Sequence, residues 1–209
     1  MQSLKLVVVS AGLGKPSSTR LLGDRLAEAA RERLVEGGSG AQPAVEVLEL
    51  RDLAADIANH LVAGYPAPAL RAAIDAVTAA DALIAVTPIF TASYSGLFKS
   101  FFDVVDNTAL IGKPVLIAAT GGTARHSLAL EFAVRPLFAY LRAAVVPTAV
   151  YAATDDWGAG GGADGLGARI ARAGGELADA VTGKPRPVAA PEFEDVVPFA
   201  DRLAALRSG

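Results

Sequence analysis

Short apolar runs alternate along the chain with longer stretches in which apolar residues recur at helical spacing. Three of the runs are continuous, as buried parallel strands are, and a fourth alternates apolar and polar residues as edge strands do. A fifth run contains Pro147, which cannot donate a hydrogen bond to a sheet and therefore favours an edge position. In this order, the predicted strands cover residues 4–9, 82–86, 114–119, 45–50 and 145–153.

Helical periodicity fills most of the chain between these strands. The predicted helices cover residues 17–36, 68–80, 95–106, 125–142 and 165–181, and residues 51–67 are predicted to form an irregular loop. Strands that alternate with helices indicate βαβ units, a parallel sheet and right-handed crossovers. The predicted fold class is therefore α/β, a flavodoxin-like three-layer sandwich with a five-stranded parallel sheet of order 2-1-3-4-5.

The length of the chain fits one domain. Its 209 residues can bury a core of their own, and a hydrophobic content of 52% is too high for intrinsic disorder. We expect a flavodoxin-like domain over residues 1–184. Residues 185–209 are predicted to form a Pro-rich linker and a short C-terminal helix.

Composition and charge exclude several kinds of chemistry. The chain has no cysteine and two histidines, which excludes disulfides and a cysteine nucleophile and argues against a metal site. A net charge of −3 argues against nucleic-acid binding. No apolar run approaches the roughly 18 residues of a membrane span, and the first strand is not followed by a cleavage site. We therefore expect a cytoplasmic protein that binds neither nucleic acid nor membrane.

The predicted strand order places three loops at the carboxyl edge of the sheet, where open α/β sheets bind ligands. These loops cover residues 10–19, 87–95 and 120–126. Asp and Glu are absent from residues 1–23, 82–102 and 107–130, which include all three loops. The same segments carry Lys15, Arg20, Lys99 and Arg125. This distribution predicts an anionic ligand.

The first loop places small hydroxyl residues at the start of a helix. Ser17, Ser18 and Thr19, together with Ser10 at the strand end, would offer a phosphate both hydroxyl groups and unpaired backbone N–H groups. The loop is neither a Walker A motif nor a dinucleotide fingerprint. The alternative interpretation is ordinary helix capping by Ser17.

The second loop carries a spaced motif: Pro88, Phe90, Ser93, Gly96, Lys99 and Asp103. This motif resembles the second signature of the NADPH-dependent FMN reductase family, of flavodoxin-like fold. The resemblance implies that the loop lies along the flavin ring and ribityl chain, with Phe90 where the family usually has Tyr. The residues implied to contact FMN are Pro88, Ile89, Phe90, Thr91, Ser93 and Tyr94. The alternative is a Pro-capped turn followed by an amphipathic helix.

The other two loops resemble the same family, and the resemblance spans roughly residues 4–182. In the first loop, Lys15 stands where the family has an early Arg. In the third loop, the resemblance implies that a glycine pair lets the backbone approach the pyrimidine edge of the flavin. Its implied contacts are Thr120, Gly121, Gly122, Thr123 and His126. The alternatives are a strand-to-helix turn capped by Thr123, and a solvent-facing His126.

The resemblance implies an NAD(P)H-dependent FMN reductase that transfers hydride from NADPH, or NADH, to FMN. The flavin would carry the chemistry, so no catalytic side chain is expected. It further implies a homodimer or homotetramer that supplies reduced flavin to a luciferase-like monooxygenase. The alternatives are a flavin-retaining quinone, azo-dye or metal-ion reductase and, more remotely, a flavodoxin-type electron carrier, for which a net charge of −3 is weakly acidic. A hydrolase is not expected, because the sequence contains no Gly-x-Ser-x-Gly motif.

Overall fold

The computed structural model describes residues 4–36, 43–158 and 165–183. The strands in chain order are β1 (Lys5–Ser10), β2 (Ala44–Glu49), β3 (Ala82–Phe90), β4 (Ser93–Tyr94), β5 (Pro114–Gly121), β6 (Ala144–Val145) and β7 (Val150–Ala153). The parallel order is β2-β1-β3-β5, with β6 and β7 both pairing with β5 and β4 antiparallel to β3. The flavodoxin-like fold class and the order of the segments are as predicted.

The predicted count of five strands is wrong, because the described residues form seven. One addition is β4, which folds back on the end of β3 as a hairpin. The other arises because the predicted fifth strand is divided at Pro147, which has no N–H to donate to a ladder. The carbonyl of Pro147 accepts from the Arg135 guanidinium at 3.0 Å, and the next N–H, that of Thr148, donates to Glu176 at 2.7 Å. Side chains therefore replace the sheet partners at this break.

Helices cover both faces of the sheet. They are α1 (Ser18–Glu36), α2 (Ala54–Ala63), α3 (Pro68–Ala79), α4 (Gly96–Asp103), α5 (Arg135–Tyr140) and α6 (Leu166–Thr182). Successive residues of β1 point to opposite faces. Val8 packs in the core under α1 and α6, whereas Val7 and Val9 pack in the core under the other helices.

Two helix predictions differ from the structure. Helix α2 lies within the segment predicted to be irregular, and Ile57 is the one residue of this helix that is buried. The predicted helix over residues 125–142 is divided into a 3₁₀ turn (Ala124–His126), a π turn (Leu130–Val134) and α5. Pro136 cannot donate to the carbonyl four residues back, and the Arg135 N–H reaches the Leu130 carbonyl five residues back.

The other four predicted helices are present, with ends that differ from the prediction by up to three residues. The predicted linker and helix over residues 185–209 lie outside the described residues, so that prediction stays open. Within the described ranges, no helix combines the length and the apolar character required to cross a membrane.

Candidate functional site

The three predicted loops lie side by side because the strands that precede them pair in parallel. Ser10, the last residue of β1, pairs with Val86 of β3. Pro88 of β3 pairs with Thr120 of β5. The carboxyl ends of β1, β3 and β5 therefore open onto one edge of the sheet, which is the candidate site.

The first loop ends in a capped helix that leaves two amides free of helical partners. The Ser17 hydroxyl accepts from the Arg20 N–H at 3.1 Å, and the Leu21 N–H donates to the Ser17 carbonyl at 3.0 Å. In this register, Ser18 and Thr19 are the first helical residues, whose N–H groups have no intrahelical acceptor. Ser17 is therefore a helix cap, and the turn that it caps can also bind an anion.

Gly12 lets this loop close tightly around Ser17. A Cβ at Gly12 would lie 2.1 Å from the Ser17 hydroxyl oxygen, so any side chain there would displace the cap. The conformation of the loop therefore requires glycine at position 12, although the loop matches neither glycine motif considered above.

Ser10 is a buried polar residue whose hydroxyl has no hydrogen-bond partner among the described residues. An unpaired buried hydroxyl costs about 1–3 kcal/mol. It lies at the base of the first loop, where a phosphate oxygen would supply the missing partner. This unpaired hydroxyl and the free first-turn amides fit the phosphate of FMN.

Thr19 and Thr120 contact each other. Their hydroxyl oxygens are 2.8 Å apart, and both side chains are buried. The contact joins the first loop to the third across the end of β3. In the structure described, these two hydroxyls hold the edge of the site together.

The second loop is a hairpin with a strained turn. Ile89 pairs with Tyr94 and Phe90 with Ser93. The two residues between them, Thr91 and Ala92, have φ of 48° and 66°. Positive φ at both central residues is typical of a type I′ turn, which favours Asn-Gly. A β-branched residue in this region is an outlier, and such strain clusters at functional sites.

The hairpin presents an aromatic side chain on a rigid base. Phe90 is 47% exposed although it is large and apolar. At the base, the buried Thr87 hydroxyl accepts from the Ser95 N–H and donates to the Pro88 carbonyl, both at 3.0 Å. Ser95 in turn caps α4 by accepting from the Phe98 N–H at 3.2 Å. Thr87 is not among the residues predicted to form the site. A polar residue within a buried strand was the feature of the sequence that could have indicated its role.

The two glycines of the third loop have different surroundings. A Cβ at Gly121 would lie 2.0 Å from the Tyr151 hydroxyl oxygen, whereas a Cβ at Gly122 would meet nothing within 4 Å. The Tyr151 hydroxyl donates to the Thr123 carbonyl at 2.9 Å. Burial, and then the charge of Asp156, raise the pKa of Tyr151, so this hydroxyl stays protonated as a donor. Gly121 is needed for Tyr151, and Gly122 leaves space for a ligand.

Thr123 caps the short turn that follows. Its hydroxyl accepts from the Arg125 N–H at 3.3 Å, at the start of the 3₁₀ turn. Arg125 and His126 are both exposed. The capping interpretation of Thr123 is therefore correct, and the role of His126 stays a prediction.

The charges at this edge are more balanced than the sequence indicates. Arg20 forms ion pairs with Asp24 at 2.8 Å and Glu49 at 3.0 Å, and the hydrogen bond to Asp24 is the main cause that raises its pKa. Lys99 is paired with Asp103, which raises the pKa of Lys99. Two of the four cations that predict an anionic ligand are therefore already paired with carboxylates, whereas Lys15 and Arg125 form no ion pair within the described residues.

An open cleft of about 800 Å³ flanks the first turns of α1. We call it the α1 cleft; its walls include Lys15, Ser17, Ser18, Arg25, Arg51 and Trp157. The Arg25 guanidinium carbon lies 5.2 Å from the centre of the Trp157 ring. Arg25, Arg51 and Trp157 are far apart along the chain, and the fold brings them together at this cleft.

The fold and the three loops define a flavodoxin-like α/β protein. The carboxyl edge of its sheet presents the unpaired first-turn N–H groups of α1, the exposed ring of Phe90 and the open space beside Gly122. Residues 4–158 match the model of the NADPH-dependent FMN reductase family. The chain belongs to this family, which confirms the resemblance, and it is an NAD(P)H-dependent flavin reductase that uses FMN.

Relatives of similar length carry the same activity in their names. The chain is 39% identical to the FMN reductase (NADPH) of Pseudomonas aeruginosa over 153 residues, which are 73% of this chain and 78% of that protein. It is 38% identical to the NADH-dependent FMN reductase SfnF of Pseudomonas fluorescens over 160 residues, 74% of this chain and 79% of that one. The two names specify different nucleotides, so membership of the family does not decide between NADPH and NADH.

Solved structures agree with the fold. An X-ray structure of an oxidoreductase from Corynebacterium diphtheriae has a TM-score of 0.83 and 44% identity, covering 88% of this chain and 100% of that one. The apo form of the NADH:FMN oxidoreductase EmoB has a TM-score of 0.67 and 26% identity, covering 90% and 92%. An archaeal flavodoxin, with a TM-score of 0.56 and 13% identity over 86% and 99%, supports the fold alone.

Proposed function

We propose that this protein binds FMN at the carboxyl edge of the sheet and reduces it with a nicotinamide nucleotide, so that reduced flavin can serve a partner monooxygenase. When bound, FMN would supply the redox chemistry, the transfer of a hydride from the nucleotide to the flavin with a proton taken from solvent. The observation that carries this assignment is the unpaired, buried Ser10 hydroxyl beside the free first-turn amides of α1.

The first loop would hold the phosphate. The N–H groups of Ser18 and Thr19 point out of the helix end, where the helix dipole also favours a negative charge. Ser10 supplies a hydroxyl from the end of β1. Ser17 holds the first turn of α1 in place, because its hydroxyl accepts from the Arg20 N–H. In this proposal Thr19 binds through its backbone, since its hydroxyl is bonded to Thr120.

The second and third loops would hold the ring system. Phe90 offers a half-exposed aromatic surface on a hairpin fixed by Thr87 and Ser95. Gly122 has open space on the side where a Cβ would stand, so its backbone can approach a planar ligand closely. The hydrogen bond from Tyr151 to Thr123 positions the backbone next to this glycine.

A substitution at Ser10 tests the phosphate assignment. Ser10→Ala should weaken FMN about tenfold to a hundredfold, since hydrogen bonds to charged groups contribute about 1.5–3 kcal/mol. It should leave riboflavin, which has no phosphate, almost unaffected. Fluorescence titration with both flavins makes the comparison, and Ser100→Ala on α4, outside the site, is the control. Equal losses for FMN and riboflavin would contradict the phosphate assignment.

A turnover assay tests the activity itself. Purified protein with added FMN should oxidise NADPH or NADH faster than free FMN alone, and reduced FMN should leave the protein during gel filtration. FMN that stays bound through many turnovers would instead favour the flavin-retaining quinone, azo-dye or metal-ion reductase. No FMN-dependent oxidation of either nucleotide would refute the proposal.

We also propose that the protein forms a homo-oligomer. Leu128 and Phe132 are 62% and 78% exposed although both are large and apolar. They lie one turn apart, because the Phe132 N–H donates to the Leu128 carbonyl at 3.0 Å, so they form a continuous apolar surface. Such surfaces on soluble chains commonly mark protein contacts.

A further inference from the structure

The α1 cleft lies directly beside the first loop, which is proposed to bind the phosphate of FMN. Ser17 and Ser18 line it on one side, and the helix face that carries Arg25 extends away from them. A ligand in this cleft would therefore lie next to the FMN site without using the hairpin or the third loop. The cleft is a second place for a ligand beside the first.

Two cations in the α1 cleft keep their charge uncompensated. Arg20, Arg51 and the carboxylate of Asp24 also line it, but Arg20 pairs with Asp24 at 2.8 Å and with Glu49 at 3.0 Å, and Arg51 pairs with Glu49 at 2.5 Å. Lys15 and Arg25 form no ion pair with any carboxylate of the described residues. These two side chains can therefore bind a second anionic group.

Trp157 gives the cleft a flat apolar surface. Its indole is partly buried and packs against the core beneath α1 and α6. The Arg25 guanidinium lies over this ring, 5.2 Å from its centre. Indole and guanidinium planes both stack on aromatic bases. The cleft thus combines a stacking surface with positive charge.

We propose that the α1 cleft binds the adenosine 2′-phosphate end of NADPH and gives this protein a preference for NADPH over NADH. The inference rests on the proposed flavin reductase activity, which requires one of these nucleotides. They differ only at the 2′ position, where NADPH carries a phosphate monoester of nearly two negative charges and NADH a neutral hydroxyl. Arginine commonly accommodates this phosphate in dinucleotide-binding proteins. Arg25 and Lys15 bind it here, and the adenine stacks on the Arg25 guanidinium that covers the Trp157 ring.

Direct binding tests this assignment independently of turnover. Calorimetry on the full chain uses adenosine 2′,5′-bisphosphate as the probe and adenosine 5′-monophosphate as its counterpart. The bisphosphate should bind at least tenfold more tightly, and Arg25→Gln or Lys15→Gln should remove most of that difference. Arg33→Gln is the matched control, because Arg33 lies on the same helix outside the cleft, paired with Asp179 at 3.6 Å. It should leave the difference intact.

Kinetics and flavin binding separate the remaining outcomes. In Arg25→Gln, the ratio of kcat/KM for NADPH to that for NADH should fall at least tenfold, and FMN affinity should stay within twofold of wild type. If the wild-type chain reduces FMN but neither variant changes this ratio, the cleft assignment is wrong while the activity stands. If the variants weaken FMN instead, the cleft binds the flavin phosphate and the assignment is also wrong. If the wild-type chain oxidises neither nucleotide, the proposed activity itself fails.

Discussion

Lys113 is a buried cation with a structural role. It is 8% exposed, and its ammonium group donates to the carbonyls of Val77 and Thr78 in the last turn of α3, both at 2.7 Å. Lys113→Met leaves these carbonyls without that donor, so we expect the free energy of unfolding to fall by about 1–3 kcal/mol. Urea denaturation measures it. Lys5→Met, which removes an ion pair between half-exposed side chains, should cost less than about 1 kcal/mol. Equal losses would contradict a capping role.

Tyr151 connects the stability of the third loop to pH. Removing its hydrogen bond to Thr123 by Tyr151→Phe should lower the free energy of unfolding by about 0.5–1.5 kcal/mol. Burial raises the pKa of this phenol above its ordinary value near 10, so the folded state favours the protonated form. The contribution is therefore complete below about pH 10 and is lost as pH rises through the folded pKa. Urea unfolding of both proteins from pH 7 to 11 should show a constant difference that declines only at the alkaline end. A difference that declines already near neutrality would be inconsistent with the raised pKa.

The sequence predicts which loops meet at the sheet edge better than it predicts what their side chains do. For Ser17 and Thr123 the sequence allows both a ligand role and a capping role, and in the structure both side chains are caps. Thr19 is predicted to bind the phosphate and Thr120 the flavin ring, and in the structure their hydroxyls also bond to each other across 101 residues of chain. That pairing depends on the sheet order, and periodicity carries no information about which hydroxyls meet. Tyr151 was missed for the same reason, since its partner Thr123 lies on another element.

The hairpin between β3 and β4 is strained where its turn residues are unsuited to it. A non-glycine residue in the left-handed region costs roughly 1–2 kcal/mol, and Thr91 and Ala92 both adopt it. Thr91→Asn combined with Ala92→Gly should therefore raise the free energy of unfolding by about 1 kcal/mol or more in urea. Ala63→Gly on the exposed end of α2 should change it in the opposite direction, because glycine weakens a helix. If both variants lose stability, the turn is not strained.

Elements with strong periodicity were predictable, and those shaped by single residues were not. The buried strands β1, β3 and β5 and the long helices α1 and α6 follow from their apolar patterns. Helix α2 did not, because it buries one residue, Ile57, against the core. The helix predicted over residues 125–142 has the right pattern, but Pro136 and the wide turn before it divide it. In this segment the missing N–H of Pro136 divides the helix, although the apolar residues recur at helical spacing.

The charge distribution shows what the whole fold adds to the sequence. The segments that carry the three loops contain no acid, as the sequence shows. The pairing of β2 with β1 nevertheless brings Glu49, at the end of β2, next to Arg20, and Glu49 also pairs with Arg51 two residues further along the chain. Lys15 and Arg25, which form no ion pair within the described residues, line the α1 cleft beside the first loop. Sequence alone therefore predicts an anionic ligand but does not show which of the cations already pair with carboxylates.

The exposed apolar surface formed by Leu128 and Phe132 predicts that copies of the chain associate with each other. Burying Phe132 and Leu128 against a second copy would remove two large side chains from water, each contributing roughly 1.5–3 kcal/mol when fully buried. Phe132→Glu places a charge in that contact, so sedimentation velocity should show the wild-type oligomer dissociating toward monomer at micromolar concentration. Val62→Glu, at a residue 92% exposed on α2, is the control and should sediment like wild type. A wild-type chain that is monomeric throughout, or an oligomer that Phe132→Glu leaves intact, would show that this surface does not join copies of the chain.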